Sequence, residues 1–442
     1  VREAGLRCVY TPFATLRHVG HVSIGATEKQ NRSRKIDRAT TFLLKRWGEY
    51  VTHDPYFPDN MRDWLHRDSP TPIRMHAVQR AAPADASPDL LFISHDLTLS
   101  GAPILLLHLA RWCRRNGMFV TVMAPADGPL REKYETARIP LIIDPLCETG
   151  HESFGKFARD FDCVLANTVR SVGAVRAAHE AKVPVIWWVH ETQVGEHYLR
   201  EEAKLRAALP LADAILAPTE RTASVYRPFT EAPVTCSPYG IPDARGEGDG
   251  ETSTGPTDVL RFLLLGSIEP RKGQDILLEA VALLPDWVKK VAEFRLVGRV
   301  MDPDFGALIE KSAARLPNVS IDTEGDHTAA LNAIRHCDVL VCSSRDEALP
   351  VTILEALSLG KAVVSAKVGG IAEVLTDAED ALLVRPEDPK ALASAIQRVI
   401  DNPESARRLG QAGRATFEKK LSEDRFGADF RELVAEVIRT KT

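Results

Sequence analysis

The stretch SSRDEALPVTILEALSLGKAVV, residues 343–364, sets two carboxylates, Glu347 and Glu355, eight positions apart. The apolar run before it reads as a strand ending near Ser343, and the run after it as a helix stopped by Gly360. Pro350 suits the first helical turn, where a backbone N–H would be orphaned. Glu347 therefore stands just ahead of a helix N-terminus, where a carboxylate stays ionised and accepts hydrogen bonds from hydroxyl groups. Glu355 lies about one and a half turns into the helix, on the flank facing back to the loop. Glutamates at this spacing are common by chance. This pair is set apart by the strand before it and by GKAVVSAKVGGIAEVL after it.

Upstream, LLGSIEPRKGQDILLEA puts Arg271, Lys272 and Gly273 between a strand and a helix. Helix-terminal amides carry partial positive charge, and two cations beside them make a site for a diphosphate. A charged turn that merely caps a helix is the competing reading. Two D-x-D triplets, Asp160/Asp162 and Asp302/Asp304, have the form of a metal-binding pair, but their settings read as solvated turns. His95 and Asp96 end the first strand of the alternating region, where they either border a cleft or simply finish the strand. LSGAP, residues 99–103, is not G-x-G-x-x-G, and neither a G-x-S-x-G nor a P-loop lysine pattern occurs.

Groups like these need a scaffold that gathers strand ends. The 442 residues suffice for two or three domains, and 44% hydrophobic content supplies their cores. A formal net charge of −5 is too mild to mark a nucleic-acid surface. Seven cysteines, never in a C-x-x-C pair, read as reduced cytoplasmic thiols, with neither a disulfide framework nor a zinc cluster. No apolar run approaches the ~18 residues a membrane span needs, and no signal peptide is recognisable.

From about residue 88 the sequence alternates: DLLFISHD, then APILLLHLARWCRRNG closed by Gly117, then MFVTVMAP, and so on to VPVIWWVH. Short β-branched runs between helices of ten or more residues predict right-handed crossovers and a parallel sheet. DARGEGDGETSTGPT, residues 243–257, loses every bulky apolar residue and reads as a linker. A second strand–helix series follows. The expected organisation is an extension over 1–85, one doubly wound α/β domain over 86–245 and another over 246–442. Ligands of such sheets sit beyond the carboxyl ends of the strands, so two facing domains would place a site in the cleft between them.

Together, GSIEPRKGQDILLEA, SSRDEALPVTILEALSLGKAVVSAKVGGIAEVL and WWVHET resemble the retaining nucleotide-sugar glycosyltransferases of family 4. The resemblance covers about residues 88–440 and is strongest over 259–376. It implies the GT-B fold, two Rossmann-like domains facing across a cleft. It further implies that Lys272 binds the donor diphosphate, Glu347 contacts the donor sugar and Glu355 holds the nucleotide ribose. The backbone of Ala348, Leu349, Pro350 and Val351 would approach the sugar and phosphate. His190 would lie near the reacting sugar, and Gly101 would approach the phosphates and acceptor. One position departs from the family pattern. An arginine usually follows the glycine that ends the first strand of the second domain, and here Ser267 follows Gly266. Arg271 is the substitute at hand.

The resemblance also implies a nucleotide-diphosphate sugar as donor substrate, transfer of a hexosyl group with retention, and no metal or other cofactor. The leaving phosphate's charge would be met by Lys272, Arg271 and helix amides. The implied acceptor is a glycan or lipid-linked glycan in bacterial surface polysaccharide synthesis. The implied place is the cytoplasm, with contact at most peripheral at the inner face of the cell membrane. No nucleic-acid partner is expected. A reading of another class is a catalytically idle sugar-nucleotide-binding module that scaffolds a partner transferase. A two-domain epimerase or phosphorylase fits the motifs and length less well.

Residues 1–85 stand apart. RKIDRATTFLLKRW puts Ile36, Leu43 and Trp47 on one helical face among basic residues, either a helix packed on a neighbouring domain or a membrane-surface helix. YTPFATLRHVGH and LLKRWGEYVTHDPYFPDNM are similar to the tail of family 2 glycosyltransferases of the GT-A fold. With Val1 in place of an initiating methionine, that similarity implies an upstream transferase domain that has been cut away.

Overall fold

The computed structural model describes residues 44–46, 74–76, 82–83, 86–246, 259–323, 325 and 327–441. In the first lobe β1 (Arg74–His76) and β2 (Asp89–Ile93) lead into α1 (Gly101–Arg115), β3 (Phe119–Ala124), α2 (Arg131–Thr136), β4 (Leu141–Ile143) and α3 (Glu152–Ala158). Next come β5 (Cys163–Asn167), α4 (Val172–Glu180), β6 (Val185–Trp188), α5 (Gln193–Glu201), α6 (Ala203–Ala208), β7 (Ala214–Ala217), α7 (Glu220–Tyr226) and β8 (Val234–Cys236). The sheet order is β1-β4-β3-β2-β5-β6-β7-β8, parallel except for β1. Every residue of β2, β3, β5 and β6 is buried, as a parallel sheet covered by helices on both faces requires.

The second lobe repeats the scheme with β9 (Leu260–Leu265), α8 (Gln274–Ala282), β10 (Ala292–Val297), α9 (Pro303–Ala313), β11 (Val319–Asp322) and α10 (His327–His336). It continues through β12 (Val339–Cys342), α11 (Val351–Ser358), β13 (Ala362–Ala366), α12 (Ile371–Val374), β14 (Leu382–Val384), α13 (Pro389–Asp401) and α14 (Pro403–Thr416). Its sheet runs β11-β10-β9-β12-β13-β14, all parallel. In both sheets the order reverses beside the first parallel strand, β2 or β9, and a ligand crevice opens at such a switch point. The lobes touch directly: the Glu373 carboxylate of α12 accepts the amides of Glu220 (2.6 Å) and Arg221 (2.8 Å) in the first turn of α7.

Three expectations need correction. The final helix, α15 (Glu423–Lys441), belongs with the first lobe and not with a continuous 246–442 domain. Phe430 meets Phe92 of β2 edge-on with ring centroids 5.8 Å apart, Asp424 accepts from the Trp112 indole at 2.8 Å, and Lys441 pairs with Asp213 at 2.7 Å. An amphipathic stripe announces burial but not the surface that buries it. The region before residue 86 also does more than extend: β1 pairs antiparallel with β4, Leu44 is buried, and Lys45 pairs with Asp89 and donates to the Ala86 carbonyl at 2.7 Å. A three-residue strand reading Arg-Met-His carries too little apolar alternation to be seen. Third, Pro350 (φ −65°, ψ 126°) is the extended cap residue before α11, so the helix proper begins at Val351.

The acidic triplets are structural. Asp162 accepts the Asp89 amide at 2.9 Å and Asp160 is buried, while Asp302 caps α9 by accepting from the Phe305 amide at 3.0 Å. Asp160 is therefore no solvated turn. The linker beyond residue 246, most of the 1–85 segment and the tail-like motifs there lie outside the described residues.

Candidate active site

A cavity of about 760 Å³ lies between the lobes. It is lined by Gly101, His190, Arg271, Lys272, Glu347, Ala348, Leu349, Pro350, Val351 and Glu355, so the structure gathers every residue that the family resemblance placed at the donor site. They reach it from the carboxyl ends of β2, β6, β9 and β12. Gly101 faces the other lobe closely: a Cβ added to it would lie 3.7 Å from the Val351 side chain.

On the second lobe the two motif loops are tied together. Gly273 is left-handed (φ 68°), and an added Cβ would fall 2.1 Å from the Ser343 carbonyl oxygen, so only glycine fits there. Ser343 Oγ donates to the Gly273 carbonyl at 2.7 Å, and the Arg345 amide donates to the Arg271 carbonyl at 2.8 Å. The Arg345 guanidinium grips Asp275, at the start of α8, at 2.7 Å. The result brings Lys272 Nζ to 2.6 Å from Glu347 Oε1, with Ser344 Oγ donating to the same oxygen at 2.9 Å and Arg271 3.5 Å from Oε2.

Glu347 is 8% exposed and Glu355 5%. Burial pushes the Glu347 carboxyl up, but Lys272 and Arg271 pull harder and hold it below its ordinary value. The loop around Glu347 needs Gly369 (φ 51°), where any Cβ would run into the Glu347 carbonyl oxygen. The opening amides of α11 have no partner inside the helix, which leaves an anion-binding end facing the cavity. Glu355, one turn further, has His327 Nδ1 3.7 Å from its carboxylate.

On the first lobe His190 is locked. Its Nε2 lies 2.6 Å from Asn167 Oδ1 and its Nδ1 2.7 Å from Tyr239 Oη. Asn167 spends its amide hydrogen on the Ala102 carbonyl at 3.2 Å, so Oδ1 faces the ring. Nε2 must then carry the hydrogen, and Nδ1 accepts from the tyrosine. The imidazole also packs on Trp188 at 4.7 Å. Burial drives its pKa down to about 3, with His95 adding to the effect. His190 is thus a neutral ring with both nitrogens committed, unsuited to shuttling protons. His95 itself is not among the cavity's lining residues, and neither is Asp96.

Several residues escaped the sequence reading. Asn167 ends β5 and was open to discovery by the rule that ligands gather at strand carboxyl ends. Tyr239, Arg299 and His327 carried no such signal. Where the family pattern has an arginine, Ser267 Oγ donates to Glu269 at 2.7 Å, and Glu269 holds Arg271 at 2.8 Å. Arg271 therefore divides its charge between Glu269 and Glu347. Among the described residues no three His, Cys, Asp or Glu side chains gather as a metal site.

Two facing Rossmann-like lobes with an anion cradle and paired carboxylates in the cleft define the GT-B class. The chain belongs to the family 4 glycosyltransferases of that class: residues 86–231 match the model "Glycosyl-transferase family 4" and residues 252–416 match "Glycosyl transferases group 1". A D-inositol 3-phosphate glycosyltransferase of Streptomyces griseus is 32% identical over 199 residues, 43% of this chain and 42% of the relative. Its counterpart in Streptomyces coelicolor is 33% identical over 166 residues, 36% of each chain. The chain thus spans less than half the length of these curated relatives. The Anabaena protein HepE, solved in complex with UDP-glucose, superposes with a TM-score of 0.68 at 20% identity, over 79% of this chain and 99% of that one. Sucrose-phosphate synthase from Thermosynechococcus elongatus gives 0.64 at 19% identity, over 80% and 100%. At such identities the structural likeness concerns the fold.

Proposed function

We propose that this chain transfers a hexosyl group from a nucleotide-diphosphate sugar to a glycan or lipid-linked glycan acceptor, with retention of configuration and without a metal ion. The observation that carries the proposal is the pairing of Lys272 with the buried Glu347 carboxylate, backed by Arg271 and the α11 N-terminus, inside a cleft between lobes. An arriving diphosphate competes for Lys272 and the helix amides, and Glu347, released from the lysine, accepts hydrogen bonds from sugar hydroxyls. Glu355 takes the ribose diol.

As the sugar–phosphate bond breaks, its electron pair goes to the departing phosphate, whose growing charge meets Lys272, Arg271 and the amides. The sugar becomes oxocarbenium-like, favoured by the Glu347 carboxylate. Attack from the side of departure lets the leaving oxygen take the acceptor's proton, giving retention without a covalent nucleophile. His190 supplies a fixed dipolar wall. Closure of the lobes excludes water.

The idle-module reading draws on one observation, the Glu269 carboxylate that takes part of Arg271's charge inside the anion site. Release of nucleoside diphosphate from a panel of nucleotide sugars separates the two readings, with UDP-hexoses first because HepE is solved with UDP-glucose. Turnover that Lys272→Ala and Glu347→Ala each abolish supports transfer; a wild-type chain silent with every donor and acceptor supports the module. Turnover should survive EDTA, and a strict metal requirement would sink the charge-neutralisation scheme.

We place the reaction in the cytoplasm, in bacterial surface polysaccharide synthesis, with at most peripheral contact at the inner membrane face and a transferase domain upstream as covalent partner. Among the described residues no helix is long and apolar enough to cross a membrane. Flotation with anionic vesicles tests the contact.

A further inference from the structure

A second crevice, about 400 Å³, opens between the lobes beside the donor cleft. One wall is α1, presenting His108 and Arg111, joined by Lys133 of α2; the other is α10, with His327 and Arg335. Among the described residues the lining holds no carboxylate. The side chains of Arg111 and Lys133 make no hydrogen bond or ion pair with the described residues. His108 is 6% exposed, and its Nδ1 has no hydrogen-bond partner. The charges that reinforce burial in keeping this imidazole neutral are all positive: His327, Arg111, Lys133 and Arg115.

The Arg111 and Lys133 side chains converge with Arg335 of the other lobe, whose guanidinium already donates to Asn332 and to the Ala244 carbonyl at 2.9 Å each, and like charges brought together repel one another. An anion offsets that repulsion, accepting from the Arg111 guanidinium and the Lys133 ammonium. Donors arriving from three directions suit a tetrahedral phosphate better than a planar carboxylate. The volume fits a small molecule.

We propose that this crevice is a second anion site, which takes a phosphate-bearing small molecule and ties the lobes together through it. Ile104 and His327 line both cavities, and His327 stands beside Glu355, so occupancy is felt at the donor cleft. Donor and phosphate then raise each other's affinity, by the same factor in each direction. The site itself stands without the transferase reading; only this coupling rests on it.

The test is thermal melting of the full chain titrated with inorganic phosphate, ionic strength held constant with chloride. The expected result is saturable stabilisation, weakened roughly tenfold or more in Arg111→Gln/Lys133→Gln and retained in Lys272→Ala. Arg111 and Lys133 are both partly exposed, so the double variant should fold, and its melting point in chloride alone is the reference. A double variant stabilised as strongly as wild type, or a wild type with no saturable response, overturns the proposal. Loss confined to Lys272→Ala assigns the phosphate to the donor cleft and overturns it equally.

Discussion

Lys272 and Glu347 behave as one unit, so removing the lysine should expose what the buried carboxylate costs alone. Lys272→Ala is expected to lose about 1–3 kcal/mol in urea unfolding at neutral pH, because Glu347 keeps only the Ser344 hydroxyl at 2.9 Å and Arg271 at 3.5 Å. Glu347's depressed value means that its contribution is present above the ordinary carboxylate range and fades as pH falls through that value. In the variant this acid-side loss should shrink; an unchanged acid profile would separate the two residues energetically. Glu355→Ala should raise the donor KM more than it lowers kcat, and the reverse pattern would remove Glu355 from the ribose.

His190 and His108, both held near 3, work in the opposite sense. The unfolded chain takes up their protons below about 6.5 while the fold refuses them, so stability should drop by ~3 kcal/mol for the two between pH 6.5 and 5. His108→Leu should remove half of that dependence. At this scale the sequence disclosed residues that sit inside motifs, such as Lys272 and Glu355. It hid Tyr239 and Asn167, which meet His190 from 49 and 23 positions away. Nothing local to Tyr239 marks such a meeting.

Strands and helices were legible wherever apolar runs were long enough to show a period, which is why β2, β3 and β6 match DLLFISHD, MFVTVMAP and VPVIWWVH. Legibility failed for elements defined by a partner. β1 exists because β4 offers an open edge, and the start of α11 moved by one residue because Pro350 takes an extended ψ. The turn at Gly273 was placed correctly, but its necessity shows only in space. Gly273→Ala should push the β9–α8 turn away from Ser343, lower the melting temperature and weaken donor binding, with at least the ~1–3 kcal/mol of a strained left-handed residue as the unfolding cost. Wild-type stability in this variant would mean that the turn has slack.

Across the whole molecule, two parallel sheets were readable from alternation and their facing across a cleft from the family resemblance, whereas the lobe that keeps α15 was not. Phe430→Ala tests that packing. It should cost about 3–5 kcal/mol, and the loss should appear in the fluorescence of the buried Trp187 and Trp188 of the first lobe. A transition seen by those tryptophans at an unchanged denaturant midpoint would detach α15 from the first lobe.

The return of the last helix makes the first lobe discontinuous along the chain. A hybrid built from two relatives by one splice at the linker would join a foreign tail to the native β2 face, and Trp112 and Phe92 would lose their matched cover. Donor halves become interchangeable only when cut twice, once past residue 246 and again near Leu421, so that the parent supplying the front of the polypeptide also supplies its end.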